Sequence, residues 1–198
     1  SLLLKHFIEG TAKRLERFNH DDIRYMLYPW GPSERKKLPG FQALHGLKGA
    51  AICEAEIVRG IAKGLYLTAP KISGATADID TDIAAKTTAT LNMLKEHDFV
   101  LTHFNGADEA AHRYDYHGKA EFISAIDKEF LEKVINNIQE PLRIVICGDH
   151  VTSSVTGKHN KNAVPVVAAQ INTAAIPVTI NNYQDILTFL MRASDMRG

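Results

Sequence analysis

Five residues in this sequence have the types and spacing to hold metal ions: Asp108, His112, Asp149, His150 and His159. Asp108 and His112 stand four apart in the run N-G-A-D-E-A-A-H. On a helical turn that spacing aims an oxygen donor and a nitrogen donor at one point. Gly148 lets the backbone turn sharply after the apolar run RIVIC, so Asp149 and His150 face the crevice beyond it. His159 follows nine residues after His150, just before a second apolar run at Val164. Each piece alone has a plainer reading. Asp108 could cap a helix with His112 on its surface, Asp149 could form an Asx-type turn beside an exposed His150, and His159 could sit in a polar loop. Together, two aspartates and three histidines at strand ends match the mixed donors that Zn²⁺ and Mn²⁺ accept. Two such ions about 3.5–4 Å apart suit phosphoryl transfer, because they clamp the attacking and leaving oxygens.

Other segments carry weaker chemistry. Asp78-x-Asp80-x-Asp82 begins like a calcium loop, but Ile83 stands where glycine is needed and Ala89 where glutamate is needed. Gly74 and Thr76 could bend a loop toward a phosphate, although an ordinary turn explains them. Arg35, Lys36 and Lys37 read as a solvated loop, and Cys147 as a core residue.

The elements that must carry these residues follow from periodicity. Helices are expected over 2–18 (interrupted near Gly10), 54–63, from Asp80 or Thr81 to about Glu96, over 119–138, and at 186–191. Strands are expected at 24–30, 48–53, 65–72, 98–104, 143–147 and 164–169. The strands are near-continuous apolar runs that alternate with helices. That pattern predicts an α/β fold with a mostly parallel sheet flanked by helices, the strands at 48–53, 98–104, 143–147 and 164–169 lying in one sheet. Loop chemistry at 31–40 marks a boundary or crossing segment.

Composition narrows the function. The chain has 198 residues, 45% of them hydrophobic, with 23 basic and 23 acidic residues that cancel in charge. A neutral balance argues against a nucleic-acid partner. No apolar run reaches the about 18 residues of a membrane span. Two cysteines in apolar contexts make no disulfide framework, which points to a reducing, cytoplasmic setting. The first methionine is Met26, so Ser1 is expected to be a boundary within a longer protein.

The motifs G-A-D-E-A-A-H, G-D-H-V-T and K-H-N-K-N-A-V-P-V resemble those of the alkaline phosphatase superfamily. They are most similar to the archaeal-type branch of cofactor-independent phosphoglycerate mutases. Pro29-Trp30-Gly31, the strand Gly46 to Ala50, Gly74-Ala75-Thr76 and Asp80-Thr81-Asp82 add to the likeness in the same order. The chain departs from the branch at Ala107, Ala111 and Ala77-Asp78-Ile79, which leaves the ligands intact.

The resemblance implies an incomplete alkaline-phosphatase-like fold. Residues 1–40 would be a remnant of an inserted substrate domain, and 41–198 the C-terminal part of the metal-binding domain. It implies that Asp108, His112 and His159 hold one ion and that Asp149 and His150 hold the other. The ions would be Mn²⁺ or Zn²⁺, with Mg²⁺ as a further candidate. The nucleophilic serine and one more aspartate ligand are expected upstream, leaving this chain alone inactive. The implied activity of the whole protein is interconversion of 3- and 2-phosphoglycerate, with a small phosphorylated molecule as its partner. A phosphate or phosphonate hydrolase on the same site and a non-catalytic metal-binding domain are the alternatives, and oligomeric state stays open.

Overall fold

Strand β1 (Gly49–Ile52) is buried along its whole length. Its small side chains, Gly-Ala-Ala, let neighbouring elements approach closely. It pairs in parallel with β2 (Phe99–Thr102), in a register that sets Gly49 opposite Phe99 and Ile52 opposite Thr102. A parallel pair needs a long crossover. Here the connection contains α3 (Glu56–Gly64) and α4 (Ile83–Leu94). Ala51, Cys53 and Ala62 form the centre of the core, with Val58, Leu67 and Ala69 packed on it. The structure is a computed structural model that describes residues 2–29, 31 and 36–191. Trp30 of the Pro-Trp-Gly motif and Arg35 of the basic cluster lie outside the described residues.

The chain divides into two compact units, Ser1–Lys37 and Leu38–Gly198. In the first, α1 (Leu2–Leu15) runs straight through Gly10 and ends in a 3₁₀ turn at Glu16–Phe18. No residue of α1 is buried. The strand expected at 24–30 is absent among the described residues. Its β-prone side chains stay exposed, and a lone extended segment with no partner strand gains no ladder.

In the second unit a short helix α2 (Phe41–His45) precedes β1. Helix α4 starts at Asp82, whose carboxylate accepts a hydrogen bond from the Ala85 N–H at 2.7 Å, one residue beyond the expected cap. Its buried stripe is Ile83, Lys86, Thr87 and Thr90, and Thr90 meets Thr102 of β2 through their hydroxyls at 2.8 Å. The expected helix over 119–138 is one continuous rod. It comprises α6 (Tyr116–Ala125), a π-helical segment at Ile126–Leu131, and α7 (Glu132–Asn137). Thr87 Oγ1 lies 2.9 Å from the Glu129 carbonyl inside that π segment, supplying a partner where the ladder is irregular. The strand expected at 65–72 shrinks to one bridge between Thr68 and Ala50.

The expected single, mostly parallel sheet requires correction. Strand β3 (Leu142–Cys147) pairs antiparallel with β6 (Val166–Ile171), and among the described residues neither pairs with β1 or β2. A third pair, β4 (Val151–Ser153) and β5 (Lys158–Asn160), is an antiparallel hairpin inserted between them. Apolar runs report burial, and they carry no information about strand direction. Cys147, expected in the core, is exposed at the end of β3. Helix α8 (Tyr183–Met191) packs on β3, where the Arg143 guanidinium donates to the Phe189 carbonyl at 3.2 Å. No helix among the described residues is long and apolar enough to cross a membrane.

Candidate metal centre

Helix α5 (Gly106–His112) begins four residues after β2 and carries Asp108 and His112. Its first residue has to be glycine. A Cβ on Gly106 would come within 2.8 Å of the Ile79 amide nitrogen and of the Phe122 ring. Ala110 and Ala111 are fully buried on the inner side. The i,i+4 spacing then does what the sequence suggests. His112 Nε2 lies 3.4 Å from Asp108 Oδ2.

His159 arrives from β5, across the hairpin from Thr152. The hairpin rests against α5 at Gly157, whose φ is +62° and whose Cβ would meet the His112 carbonyl at 3.2 Å. Only glycine accepts both that backbone and that approach. The Gly157 carbonyl lies 2.8 Å from His112 Nδ1. A carbonyl only accepts, so His112 carries its proton on Nδ1 and leaves Nε2 open toward the site. Metal-ligating histidines are commonly oriented in this way by an outer partner.

The three donors converge. His112 Nε2 and His159 Nε2 are 3.1 Å apart, and His159 Nε2 is 3.5 Å from Asp108 Oδ1. In a tetrahedron the donor–donor edge is about 1.6 times the bond length, so bonds of about 2.1 Å imply edges of about 3.4 Å. The spacings of 3.1, 3.4 and 3.5 Å bracket that value. Asp108 meets His112 through Oδ2 and His159 through Oδ1, and one donor atom from each of the three residues lies within 4.8 Å of the others, so two nitrogens and a carboxylate match one divalent ion in type and approximate spacing.

Asp149 and His150 follow β3 and adjoin this group. His150 Nε2 lies 3.4 Å from Asp149 Oδ2, and its Nδ1 lies 4.0 Å from Asp108 Oδ1. The His150 ring stacks on that of His159 with centroids 3.8 Å apart. Tyr183 of α8 places its hydroxyl 2.8 Å from the Asp149 carbonyl, tying the turn after β3 to the last helix. All five residues singled out in the sequence thus lie in one contiguous cluster.

Three further residues border the site without having drawn notice in the sequence. Thr152 donates its hydroxyl proton to Asp108 Oδ1. Lys86, inside α4, donates to the His103 carbonyl at 2.7 Å and so holds the turn between β2 and α5. Burial pushes the His103 imidazole below its ordinary value and Lys86 adds to that, while Asp149 and Asp108 act in the opposite direction. The available signals were a threonine two residues past Asp-His and a lysine on the inner face of an amphipathic helix.

The Asp78, Asp80 and Asp82 triplet is spent on local structure. Asp80 accepts from the Thr76 hydroxyl at 2.5 Å, and Asp82 caps α4. Asp78 takes both arms of the Arg113 guanidinium, at 2.5 and 2.7 Å, next to His112. Those bonds hold the Asp78 carboxyl down at about 2, against an ordinary 3.8. A depressed carboxylate stabilises the fold above its unfolded value and loses that contribution as pH falls through its folded value. Asp78→Asn is therefore expected to lower the thermal unfolding midpoint slightly at pH 7, since exposed ion pairs contribute little. The gap from the parent should close between pH 3.8 and about 2. A gap that persists unchanged at pH 2 would show that the ion pair is not its source.

The Metalloenzyme superfamily model matches residues 7–186. The 2,3-bisphosphoglycerate-independent phosphoglycerate mutase of Methanococcus vannielii is 36% identical over 152 residues, which cover 76% of this chain and 37% of that protein. The enzyme of the same name from Saccharolobus solfataricus is 36% identical over 138 residues, covering 69% of this chain and 33% of its own length. The chain therefore spans about a third of the length of these curated relatives. The solved structure of the PH0037 protein from Pyrococcus horikoshii matches with a TM-score of 0.69 at 25% identity, over 84% of this chain and 46% of that one. The superfamily match runs through both α5 and the β4–β5 hairpin, the two elements on which the donors converge, and the chain belongs to the Metalloenzyme superfamily.

Proposed function

We propose that this chain supplies the divalent-metal cradle of a protein that interconverts 3-phosphoglycerate and 2-phosphoglycerate. The observation that carries the reading is the spacing of Asp108, His112 and His159, at 3.1 to 3.5 Å between donor atoms. The names of the archaeal relatives supply the reaction. Asp108, His112 and His159 would hold one ion and Asp149 with His150 the other, as Mn²⁺ or Zn²⁺, with Mg²⁺ next in order. When bound, the ions neutralise phosphate charge and activate a hydroxyl nucleophile.

The chain's own residues prepare that chemistry. Asp108 brings negative charge to a point that three imidazoles surround. Gly157 keeps His112 Nε2 free of its proton. The nucleophilic serine and a further aspartate ligand belong to a part of the protein outside this sequence. In this reading residues 1–40 come from an inserted substrate domain and 41–198 from the phosphatase-like one. The substrate is a small phosphorylated acid handled in the cytoplasm.

The test uses two proteins. The purified 198-residue chain should bind Mn²⁺ or Zn²⁺ yet show no phosphoglycerate interconversion. The complete protein should interconvert the two isomers and release little free phosphate. Stoichiometric phosphate release by the complete protein would assign it to the hydrolases instead. Turnover by the short chain, lost in Ser153→Ala or Ser154→Ala, would overturn the placement of the nucleophile.

A further inference from the structure

Thr152 occupies the middle of β4, directly across from His159 in the hairpin register. Its hydroxyl touches both halves of the site. It donates to Asp108 Oδ1, and His150 Nδ1 lies 3.1 Å from the same hydroxyl oxygen. A threonine hydroxyl has one proton to give and two lone pairs to offer, whereas an ionised carboxylate only accepts. The single proton therefore goes to Asp108. The contact with His150 must then run the other way, with Nδ1–H donating to Oγ1. That arrangement leaves His150 Nε2 bare, and Nε2 is the nitrogen 3.4 Å from Asp149 Oδ2.

We propose that Thr152 is a positioning residue that locks His150 in its Nδ1–H tautomer, presenting Nε2 together with Asp149 as the donor pair of the second ion. The proposal rests on the metal reading given above. Thr152 is suited to the task because it cannot wander. It is only 4% exposed, and its carbonyl accepts a hydrogen bond from Lys119 Nζ of α6 at 2.8 Å. The two histidines on either side of Asp108 thus receive the same tautomer by different means. For His112 the fixing acceptor is the backbone of Gly157, and for His150 it is a side chain that substitution can remove.

Thr152→Val keeps the shape and deletes the hydroxyl, while Thr152→Ser keeps the hydroxyl and deletes a methyl group. Long-range ¹H–¹⁵N spectra of the histidine rings, recorded on the metal-free labelled chain with neutral imidazoles, report the tautomer directly. Zn²⁺ titration of the same samples reports the cradle. The parent should show His150 as Nδ1–H. In T152V that signature should give way to a mixture, and the weaker Zn²⁺ step should lose about 10–100-fold in affinity, the usual cost of removing an outer partner. T152S should restore both.

A parent spectrum with the His150 proton on Nε2 overturns the proposal without needing any variant to fold. So does a T152V chain with unchanged spectrum and affinity. A parent that takes up no Zn²⁺ overturns the metal reading and this role with it. That failure is distinguishable, because the tautomer is read before metal is added.

Discussion

Asp108→Asn is expected to remove high-affinity metal binding from this chain, weakening Zn²⁺ or Mn²⁺ by more than about 100-fold, since losing an outer partner alone costs about 10–100-fold. The reason is its central place. Asp108 Oδ2 faces His112 and its Oδ1 faces His159, Thr152 and His150, so one carboxylate is common to every branch of the cluster. An amide of the same shape keeps an acceptor for the Thr152 hydroxyl, so the helix and hairpin should remain in register. What disappears is the charge and one of the two oxygens. Asp149→Asn is the contrast, because the Asp149 side chain is 76% exposed and touches the cluster through His150 alone. Equilibrium dialysis on both variants separates them. Equal losses would mean that the triad does not define the tighter centre, and no loss in D108N would end the metal assignment.

Lys86→Ala is expected to cost the fold about 3–5 kcal/mol, a cavity and a broken buried polar contact acting together. Lys86 is 1% exposed, its Nζ donates to the His103 carbonyl at 2.7 Å, and it lies 4.7 Å from the centre of the Phe104 ring. Burial lowers its ammonium below the ordinary value, with Glu54 acting against that shift. Lys86→Met keeps most of the aliphatic stem and leaves the His103 carbonyl without its donor, which should cost about 1–3 kcal/mol. Urea unfolding of the two variants divides packing from polarity. A methionine variant as stable as the parent would show that desolvating the ammonium cancels everything it gains. The same lysine pins the turn that launches α5, so both variants should also bind metal less tightly than the parent.

The site was more legible in the sequence than the sheet was. Asp108 and His112 obey helical spacing, and Asp149-His150 follows an apolar run closed by glycine, so residue type and local period single out these four. His159 reads as part of a polar loop, because β5 is three exposed residues with no alternation to betray a strand. Strand direction was illegible for a different reason. RIVIC and VPVVAA carry the same apolar signal whether their partner runs parallel or antiparallel, and only tertiary pairing decides. The aromatic run at 24–30 has strong β-propensity, yet propensity describes fitness for a half-buried pleated surface, and the described residues form none there. The rod over 116–137 was found nearly whole, while its π segment was not, since a single widened turn leaves the apolar period almost intact.

The β4–β5 hairpin has a consequence for how tightly an ion can be held. One donor of the triad rides on a pair of three-residue strands closed at Gly157, while the other two ride on a helix seated in the core. A two-stranded hairpin is marginal by itself, and here β4 is anchored through the buried Thr152 while all three residues of β5 are exposed, so β5 is the strand that opens locally. Each opening carries His159 away and leaves two donors where three are needed. The apparent dissociation constant is then the intrinsic one divided by the fraction of time the hairpin is closed. Occupancy of the centre and closure of the hairpin are therefore a single linked equilibrium. Whatever packs on the exposed outer face of β5 would tighten metal binding without touching a ligand.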